Sequence, residues 1–227
     1  MISDIELCAT KQVYNAQFMG KEILVTGASG SIGANLIRRL FKSGDNVHIF
    51  LRARSNPWRL KPIPKQIHVH TVDICDAKVV AKVIRRIRPH IIYHLASYGA
   101  YPFQANMDAM IQTDILGTLG ILNAATSIDR LEAVISTGSS TEYGFKTRPM
   151  REDDILEPNT AYGVAKASQT LWAQFFGKTQ GIPVVIVRPS LVYGSYEEPT
   201  RLIPDTIISH LRKRPLLLSS PAPKKDF

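Results

Sequence analysis

Tyr162 and Lys166 lie four residues apart in the segment AYGVAK, and this pair is suited to acid–base chemistry. Helical residues four apart share one face, one turn apart. A nearby ammonium stabilises a tyrosinate and lowers the pKa of the phenol toward the working range of an enzyme. The pair predicts a general acid or base, but Tyr-x-x-x-Lys is common by chance and needs support from its surroundings.

The stretch VISTGSSTEYGF, residues 134–145, gives part of that support because an apolar run ends there in small hydroxyl residues. Two interpretations are open: a polar turn at the end of a strand, or the floor of an active site. A strand ending in Ser and Thr, followed by the Tyr–Lys pair, is far more specific than either pattern alone. The combination favours the active-site floor.

Three glycines in VTGASGSIG are spaced for phosphate binding between a strand pattern and a helix pattern. Gly27 gives the tight turn, Gly30 lets the backbone approach a pyrophosphate, and Gly33 allows close packing of helix on strand. Free N–H groups at the helix start then face the phosphates. Three glycines alone are weak evidence, but this position is where the mechanism needs them.

The end of the next strand predicts which dinucleotide binds. An acid there would bind the adenosine ribose of NAD, but IFLRARS has Arg52 and Arg54 and no acid. A guanidinium suits a 2′-phosphate, which favours NADP(H) and leaves NAD(H) possible. Asp73 has two open roles: accepting from the adenine amino group, or capping the following helix.

The elements that must position these residues alternate along the chain. Strand patterns cover residues 21–26, 46–51, 67–72, 90–96, 131–137 and 183–188, and helix patterns cover 31–43, 76–88, about 104–127 and 160–181. The strands are β-branched and nearly continuously apolar, which is typical of a parallel sheet with helices on both faces. The sequence therefore predicts a doubly wound α/β fold.

The amino-acid composition indicates which classes of binding partner to expect. The net charge is +9, from 28 Lys+Arg against 19 Asp+Glu, but the basic residues are dispersed and not interleaved with aromatics. Solvated helix faces with a few phosphate ligands are expected, not a nucleic-acid groove. The two cysteines, Cys8 and Cys75, show neither metal-binding nor disulfide spacing. With no secretory signal and no apolar run of about 20 residues, a cytoplasmic protein without membrane or metal is expected.

Taken together, the motifs resemble those of the extended short-chain dehydrogenase/reductases, the NAD(P)-dependent epimerase/dehydratase family acting on nucleotide sugars. The motifs that carry the resemblance are TGASGSIG, VDICD, HLAS, DILGTLGILNAA, STGSSTEYG, NTAYGVAK, RPSLVYG and the closing KKDF. The resemblance runs from about residue 21 to 227. It implies a Rossmann domain that carries the cofactor and a smaller C-terminal domain that carries the nucleotide sugar.

The resemblance also assigns roles. Tyr162 would be the general acid/base, Lys166 would bind the nicotinamide ribose, and Ser139 would hydrogen-bond the sugar hydroxyl or ketone. The implied cofactor residues are Gly27, Ser29, Gly30, Ser31, Ile32, Gly33, Arg52, Asp73, Ile74, Leu95, Ala96, Tyr162, Lys166 and Pro189. The implied substrate residues are Tyr98, Ala100, Tyr101, Ser140, Tyr193 and Arg201. Relatives often form homodimers through the long helices around 104–127 and 160–180.

The sequence departs from the family pattern in two ways. Many relatives have Asn where this chain has Asp114. The 4,6-dehydratases place acids directly after the catalytic Thr, where this chain has Ser140 and Thr141, which are poor general acids. Glu142 comes one place later and, on an extended segment, would point the opposite way. Dehydration is therefore disfavoured.

Three functional hypotheses follow. The leading one is an NADP(H)-dependent reductase of a 4-keto nucleotide sugar, and the second is an NAD-dependent nucleotide-sugar epimerase that uses the same Ser, Tyr and Lys. The third is a truncated dinucleotide-binding module without turnover. KKDF matches the start of a family motif at the domain junction, so most of the substrate domain is expected to be missing. The expected division is an N-terminal extension at 1–19, a Rossmann domain at 20–189 and the beginning of a truncated substrate domain at 190–227.

Overall fold

The computed structural model describes residues 20–61, 66–101 and 103–216. The predicted N-terminal extension and the closing KKDF lie outside these ranges. The strands are β1 (Glu22–Thr26), β2 (Asn46–Leu51), β3 (His68–Thr71), β4 (Ile91–His94), β5 (Ala133–Thr137) and β6 (Val184–Val187). The helices are α1 (Ser31–Lys42), α2 (Ala77–Ile87), α3 (Met107–Met110), α4 (Gly117–Ala125), α5 (Ala161–Gln180) and α6 (Leu202–Leu211).

The six strands form one parallel sheet in the order β3-β2-β1-β4-β5-β6. The chain winds outward from β1 through β2 to β3, and then returns to the other side of β1 to form β4. This reversal creates a crevice at the carboxyl ends of β1 and β4, where ligands bind in open α/β sheets. The predicted doubly wound α/β fold is confirmed.

The central strands β1 and β4 are buried on both faces of the sheet, which explains their continuous apolar sequences. Ile23 and Val25 of β1 pack with Ile37 of α1 on one face. Leu24, between them, packs on the other face in a cluster that contains Ile84 of α2 and residues of α4 and α5. A strand with alternating side chains and two covered faces must be apolar at every position.

Local capping groups set the ends of the helices beside the site. Asp76 caps α2 by accepting hydrogen bonds from the backbone N–H groups of Lys78 and Val79. The capping role considered for Asp73 was therefore wrong; Asp73 instead accepts from Cys75 N at 3.0 Å. Thr160 caps α5 by accepting from Gly163 N, and Gly181, with φ of 68°, ends it.

Two segments differ from the sequence prediction. The single helix expected at about 104–127 contains a π-helical segment, Ile111–Leu116, between α3 and α4. The residues after β5 do not continue as an extended segment, because Ser140–Tyr143 form a turn of 3-10 helix. Both departures lie beside the candidate site, which is where π-helical turns frequently occur.

Candidate active site

The glycine turn between β1 and α1 has no room for side chains at two positions. A Cβ on Gly27, which has φ of 67°, would lie 2.6 Å from the backbone of Leu95 and Ala96. A Cβ on Gly33 would lie 2.4 Å from the carbonyl oxygen of Gly27. The turn therefore packs directly on β4 and α1, and the start of α1 faces the crevice. This cradle fits a dinucleotide pyrophosphate.

A cavity of about 250 Å³ opens beside this turn. Its lining gathers residues that follow four adjacent strands. The predicted cofactor residues that line it are Gly27, Ser29, Gly30, Arg52, Asp73, Ile74, Leu95 and Ala96. No acid ends β2, where Arg52 follows Leu51 directly. The cavity thus has the shape and the polar lining expected of a dinucleotide site with a cation at its ribose end.

Other predicted cofactor residues lie elsewhere. Ser31 and Ile32 line a neighbouring cavity beside α1, and Gly33 is buried in the packing of α1 on the turn. Pro189 lines a surface cavity next to Ser140, whose backbone N–H it accepts at 3.0 Å. Their roles toward a cofactor stay predictions.

A second, larger cavity of about 680 Å³ brings the proposed reacting side chains together. The predicted site residues lining it are Ser139, Ser140, Tyr162, Ala100 and Arg201. Arg201 donates to Ala100 O at 2.9 Å, and its guanidinium lies 4.7 Å from the centre of the Tyr101 ring. This cation faces the space in which an anionic substrate would lie.

Three predicted substrate residues do not line this second cavity. Tyr98 and Tyr101 line the dinucleotide cavity instead. Tyr193 lines the cavity beside α1 that Ile32 and Asn35 also line. Substrate contacts by these three residues stay predictions.

Ser139 lies two residues after the end of β5 and caps the 3-10 turn. Its hydroxyl accepts from the backbone N–H of Thr141 at 3.2 Å and lies 2.8 Å from the Thr141 hydroxyl. It also lies close enough to Tyr162 to lower the pKa of that phenol. Ser139 and Tyr162 thus lie near each other in the lining of one cavity, and their joint binding of one substrate oxygen stays a prediction.

The proton affinity of Tyr162 differs from expectation. Burial raises its pKa, and the hydroxyls of Ser97 and Ser139 only partly oppose the shift. Lys166 is 2% exposed and donates to Gln169 Oε1 at 2.5 Å, while burial lowers its own pKa. The expectation that Lys166 lowers the pKa of Tyr162 is therefore not met in this structure. Tyr162 stays protonated, as a general acid requires.

Sequence reasoning noted Asp114 only as a departure and missed its position in the site. This fully buried carboxyl lies on the π-helical segment, and both of its oxygens are 3.3 Å from Tyr98 N. Burial raises its pKa, and the Lys166 ammonium opposes the shift. Its carboxylate raises the pKa of both Tyr162 and Lys166. The buried Ser97 hydroxyl lies close enough to Asp114 and Tyr162 to lower the pKa of each, yet it has no partner that meets hydrogen-bond geometry.

Glu142 corrects another expectation. It was expected on an extended segment, but the 3-10 turn places its side chain in the interior. Its Oε1 accepts from Ser139 N at 2.7 Å and its Oε2 accepts from Arg188 Nε at 2.8 Å. With both oxygens bound and no exposed surface, this carboxyl is a structural group.

The fold and its glycine-lined cavity define a Rossmann-type dinucleotide-binding protein. Residues 23–227 match the model of the NAD dependent epimerase/dehydratase family, and the chain belongs to that family. The resemblance inferred from the motifs is confirmed. Within the described ranges, no helix is long and apolar enough to cross a membrane.

Similar proteins act on nucleotide sugars. The chain is 28% identical to a dTDP-glucose 4,6-dehydratase from Haemophilus influenzae, over 86% of this chain and 62% of that protein. It resembles UDP-glucuronic acid 4-epimerase from Bacillus cereus in complex with UDP-glucuronic acid and NAD, with TM-score 0.72, 27% identity and coverage of 86% and 64%. A dTDP-glucose 4,6-dehydratase from Streptomyces venezuelae with NAD and TYD bound gives TM-score 0.75, 28% identity and coverage of 84% and 62%. The chain thus spans less than two thirds of these relatives.

Proposed function

We propose that this protein transfers a hydride at C4 of a nucleotide sugar, as an NADP(H)-dependent reductase of the 4-keto form. The observation that carries the proposal is the convergence of Ser139 and Tyr162 on one cavity beside the glycine-lined dinucleotide cavity. The lining residue Arg52, with no acid at the end of β2, supports NADP(H) as the cofactor. The family description and the solved relatives name NAD, so the choice of dinucleotide needs a direct test.

The bound nicotinamide would supply the hydride to the ketone carbon. As the carbonyl π electrons move onto the oxygen, Tyr162 donates its phenolic proton to that oxygen and the alcohol forms. Ser139 donates a hydrogen bond to the same oxygen. Lys166, whose buried ammonium donates to Gln169 Oε1, would hold the nicotinamide ribose, as the family resemblance implies. Burial raises the pKa of Tyr162, so the phenol carries the proton that this step needs.

Dehydration is a poorer match. It would need a free acid beside Ser139, but Ser140 and Thr141 follow it and the Glu142 carboxylate is bound by Ser139 N and Arg188. Epimerisation remains the second candidate because solved relatives include UDP-sugar 4-epimerases, one with NAD bound. An epimerase oxidises and then reduces the same carbon, so it retains its cofactor.

One experiment separates these functions. The protein is purified, any bound nucleotide is released and identified, and NADPH oxidation is followed with a panel of 4-keto nucleotide sugars. An empty site that prefers NADPH and turns it over supports the reductase. Tightly held NAD(H) supports the epimerase. Binding of NADPH without oxidation of the cofactor on any sugar supports the dinucleotide-binding module.

A Ser139→Ala variant tests the catalytic assignment. Loss of one donor to the developing oxyanion lowers turnover by about 100-fold or more. Dinucleotide affinity, measured by cofactor fluorescence, should change less than about twofold, because Ser139 lines the other cavity. A loss of dinucleotide affinity equal to the loss of turnover would contradict the assignment.

We also propose that the protein forms a homodimer through α5 and the π-helical segment. Exposed apolar side chains lie on both: Ile111, Leu116, Val164, Leu171, Trp172 and Phe175. Val164, Leu171 and Phe175 follow helical spacing, so they share one face of α5.

A cytoplasmic location stays a prediction.

A further inference from the structure

The chain returns to the glycine turn after β6, at residues 195–198. Asn35 Nδ2 donates to Ser195 O at 2.8 Å, and Arg59 Nε donates to Tyr196 O at 2.6 Å. Arg59 Nη2 also donates to Glu198 Oε2 at 2.9 Å, which makes a salt bridge between residues 139 positions apart. This return segment is therefore fixed to the loop that follows β2.

The Arg59–Glu198 pair lies at the ribose end of the dinucleotide cavity. Both residues line the cavity, together with Ser29 of the glycine turn and with Arg52 and Ser55 of the loop after β2. Arg59 Nη1 lies 3.4 Å from Ser29 O, so its guanidinium spans the gap between turn and loop. In a Rossmann fold, these two elements flank the adenosine ribose.

The two side chains favour opposite dinucleotides. A guanidinium binds a phosphate through parallel charge-assisted hydrogen bonds, whereas a carboxylate accepts from a ribose hydroxyl and repels a phosphate. Arg59 is 8% exposed, and a charge in such a position interacts strongly because water screens it little. Three of its five donors point at Tyr196, Glu198 and Ser29, which leaves two for an incoming anion.

We propose that the Arg59–Glu198 pair selects between NADP(H) and NAD(H), with Arg59 binding the adenosine 2′-phosphate and Glu198 opposing it. The proposal rests on the proposed dinucleotide site but not on any catalytic turnover. It adds two specificity-determining residues to Arg52. It also explains how a chain without an acid at the end of β2 still presents a carboxylate to the ribose: the carboxylate comes from the return segment.

The test compares the affinities of NADPH and NADH, measured by cofactor fluorescence at 0.15 M salt. The measured quantity is the ratio of the NADH to the NADPH dissociation constant. Arg59→Met should lower this ratio at least about tenfold, and Glu198→Gln should raise it about fivefold. The affinity of 2′,5′-ADP, which carries the phosphate without the nicotinamide, is measured by calorimetry. It should fall in Arg59→Met and rise in Glu198→Gln.

Two control variants remove charges outside the cavity: Arg85→Met on α2, and Glu152→Gln on an exposed loop. Each should leave the ratio within about twofold of the wild type. Circular dichroism melting checks that each variant folds. If Arg59→Met does not fold, Glu198→Gln alone tests the proposal. A carboxylate that opposes the 2′-phosphate predicts a rise in the ratio on its removal, whereas a carboxylate with a structural role alone predicts an unchanged ratio.

An unchanged ratio in Glu198→Gln, or shifts of both variants in one direction, would overturn the selector. These outcomes would leave the dinucleotide site intact. Failure of the wild-type protein to bind NADPH, NADH and 2′,5′-ADP would instead overturn the proposed cofactor site and the selector with it.

Discussion

Glu142 shows how a residue outside the reaction holds a reacting one. Its carboxylate accepts from Ser139 N and from Arg188, and Arg188 Nη1 donates in turn to the Tyr143 hydroxyl at 2.8 Å. The carboxyl has 0% exposed surface, so removing it strands the Arg188 charge in a partly buried position. The position of Ser139 therefore depends on a buried ion pair.

We expect Glu142→Ala to lower the free energy of unfolding by about 3 kcal/mol or more, because it breaks a buried ion pair by removing one partner. Urea unfolding measures the loss. Glu157→Ala is the matched control, since Glu157 pairs with Lys146 through a carboxylate whose side chain is 65% exposed. That control should lose less than about 1 kcal/mol. Equal losses in the two variants would show that Glu142 is no more structural than a surface carboxylate.

The residues of the site differ in how far the sequence predicts them. Tyr162 and Lys166 are visible because a helix brings positions four apart together, and Ser139 is visible because it follows a strand pattern. Arg59 and Glu198 lie 139 positions apart and meet only when the chain returns over the glycine turn. Local patterns carry no information about such a contact, so the pair could not be predicted.

At the scale of elements, the sequence predicted the strands best. The pattern NVHIFL gave β2 with its observed bounds, because its apolar residues Val47, Ile49 and Phe50 are buried in the sheet. The π-helical segment Ile111–Leu116 was not predicted, since its residues continue the apolar pattern of α3 and α4. The 3-10 turn after β5 was also missed, because the capping contact between Ser139 and Glu142 decides it.

The glycine turn allows dinucleotide binding to be separated from folding. Gly30 has an ordinary φ of −74°, and a Cβ there meets only Gly27 O, at 3.2 Å. We expect Gly30→Ala to cost about 1 kcal/mol of stability but to weaken NADPH binding at least about tenfold, because the methyl group enters the phosphate cradle.

A larger loss of stability is expected for Gly33→Ala. Its Cβ would lie 2.4 Å from Gly27 O and push α1 away from β1, at a cost of about 2 kcal/mol or more. Urea unfolding and cofactor fluorescence measure the two effects. If Gly30→Ala bound NADPH as tightly as the wild type, the turn would not hold the pyrophosphate.

The stability of the whole molecule depends on pH because a histidine is buried in the central sheet. His94 of β4 is fully buried between the hydroxyls of Thr26 and Thr118, at 2.8 and 2.9 Å. Burial, with a smaller contribution from Lys166, lowers its pKa to about 3. Below the unfolded pKa of about 6.5, the unfolded chain binds a proton that the folded chain refuses. Stability is therefore complete above that pH and is lost as the pH falls.

We expect His94 alone to reduce the free energy of unfolding by about 2 kcal/mol between pH 7.5 and pH 5.0, at about 1.4 kcal/mol per pH unit below 6.5. Burial also lowers the pKa of His48 and His70, which adds to the loss from His94. Urea unfolding at both pH values measures it. A folded His94→Gln variant should lose about 2 kcal/mol less than the wild type, and the exposed control His210→Gln should match the wild type. Equal pH dependence in His94→Gln would contradict the assignment.

The proposed dimer is the last property that belongs to the whole molecule. Leu171 is 58% exposed and Phe175 is 46% exposed on one face of α5. Pairing this face with a second copy would remove both side chains from water, each worth about 1.5–3 kcal/mol when fully buried. We expect light scattering after size-exclusion chromatography to give the mass of two chains at micromolar concentration. Leu171→Arg with Phe175→Arg should give one chain, while Leu211→Arg, a control at the exposed end of α6, should stay dimeric. A wild-type protein with the mass of one chain would rule out the dimer, and a dimeric double variant would place the interface elsewhere.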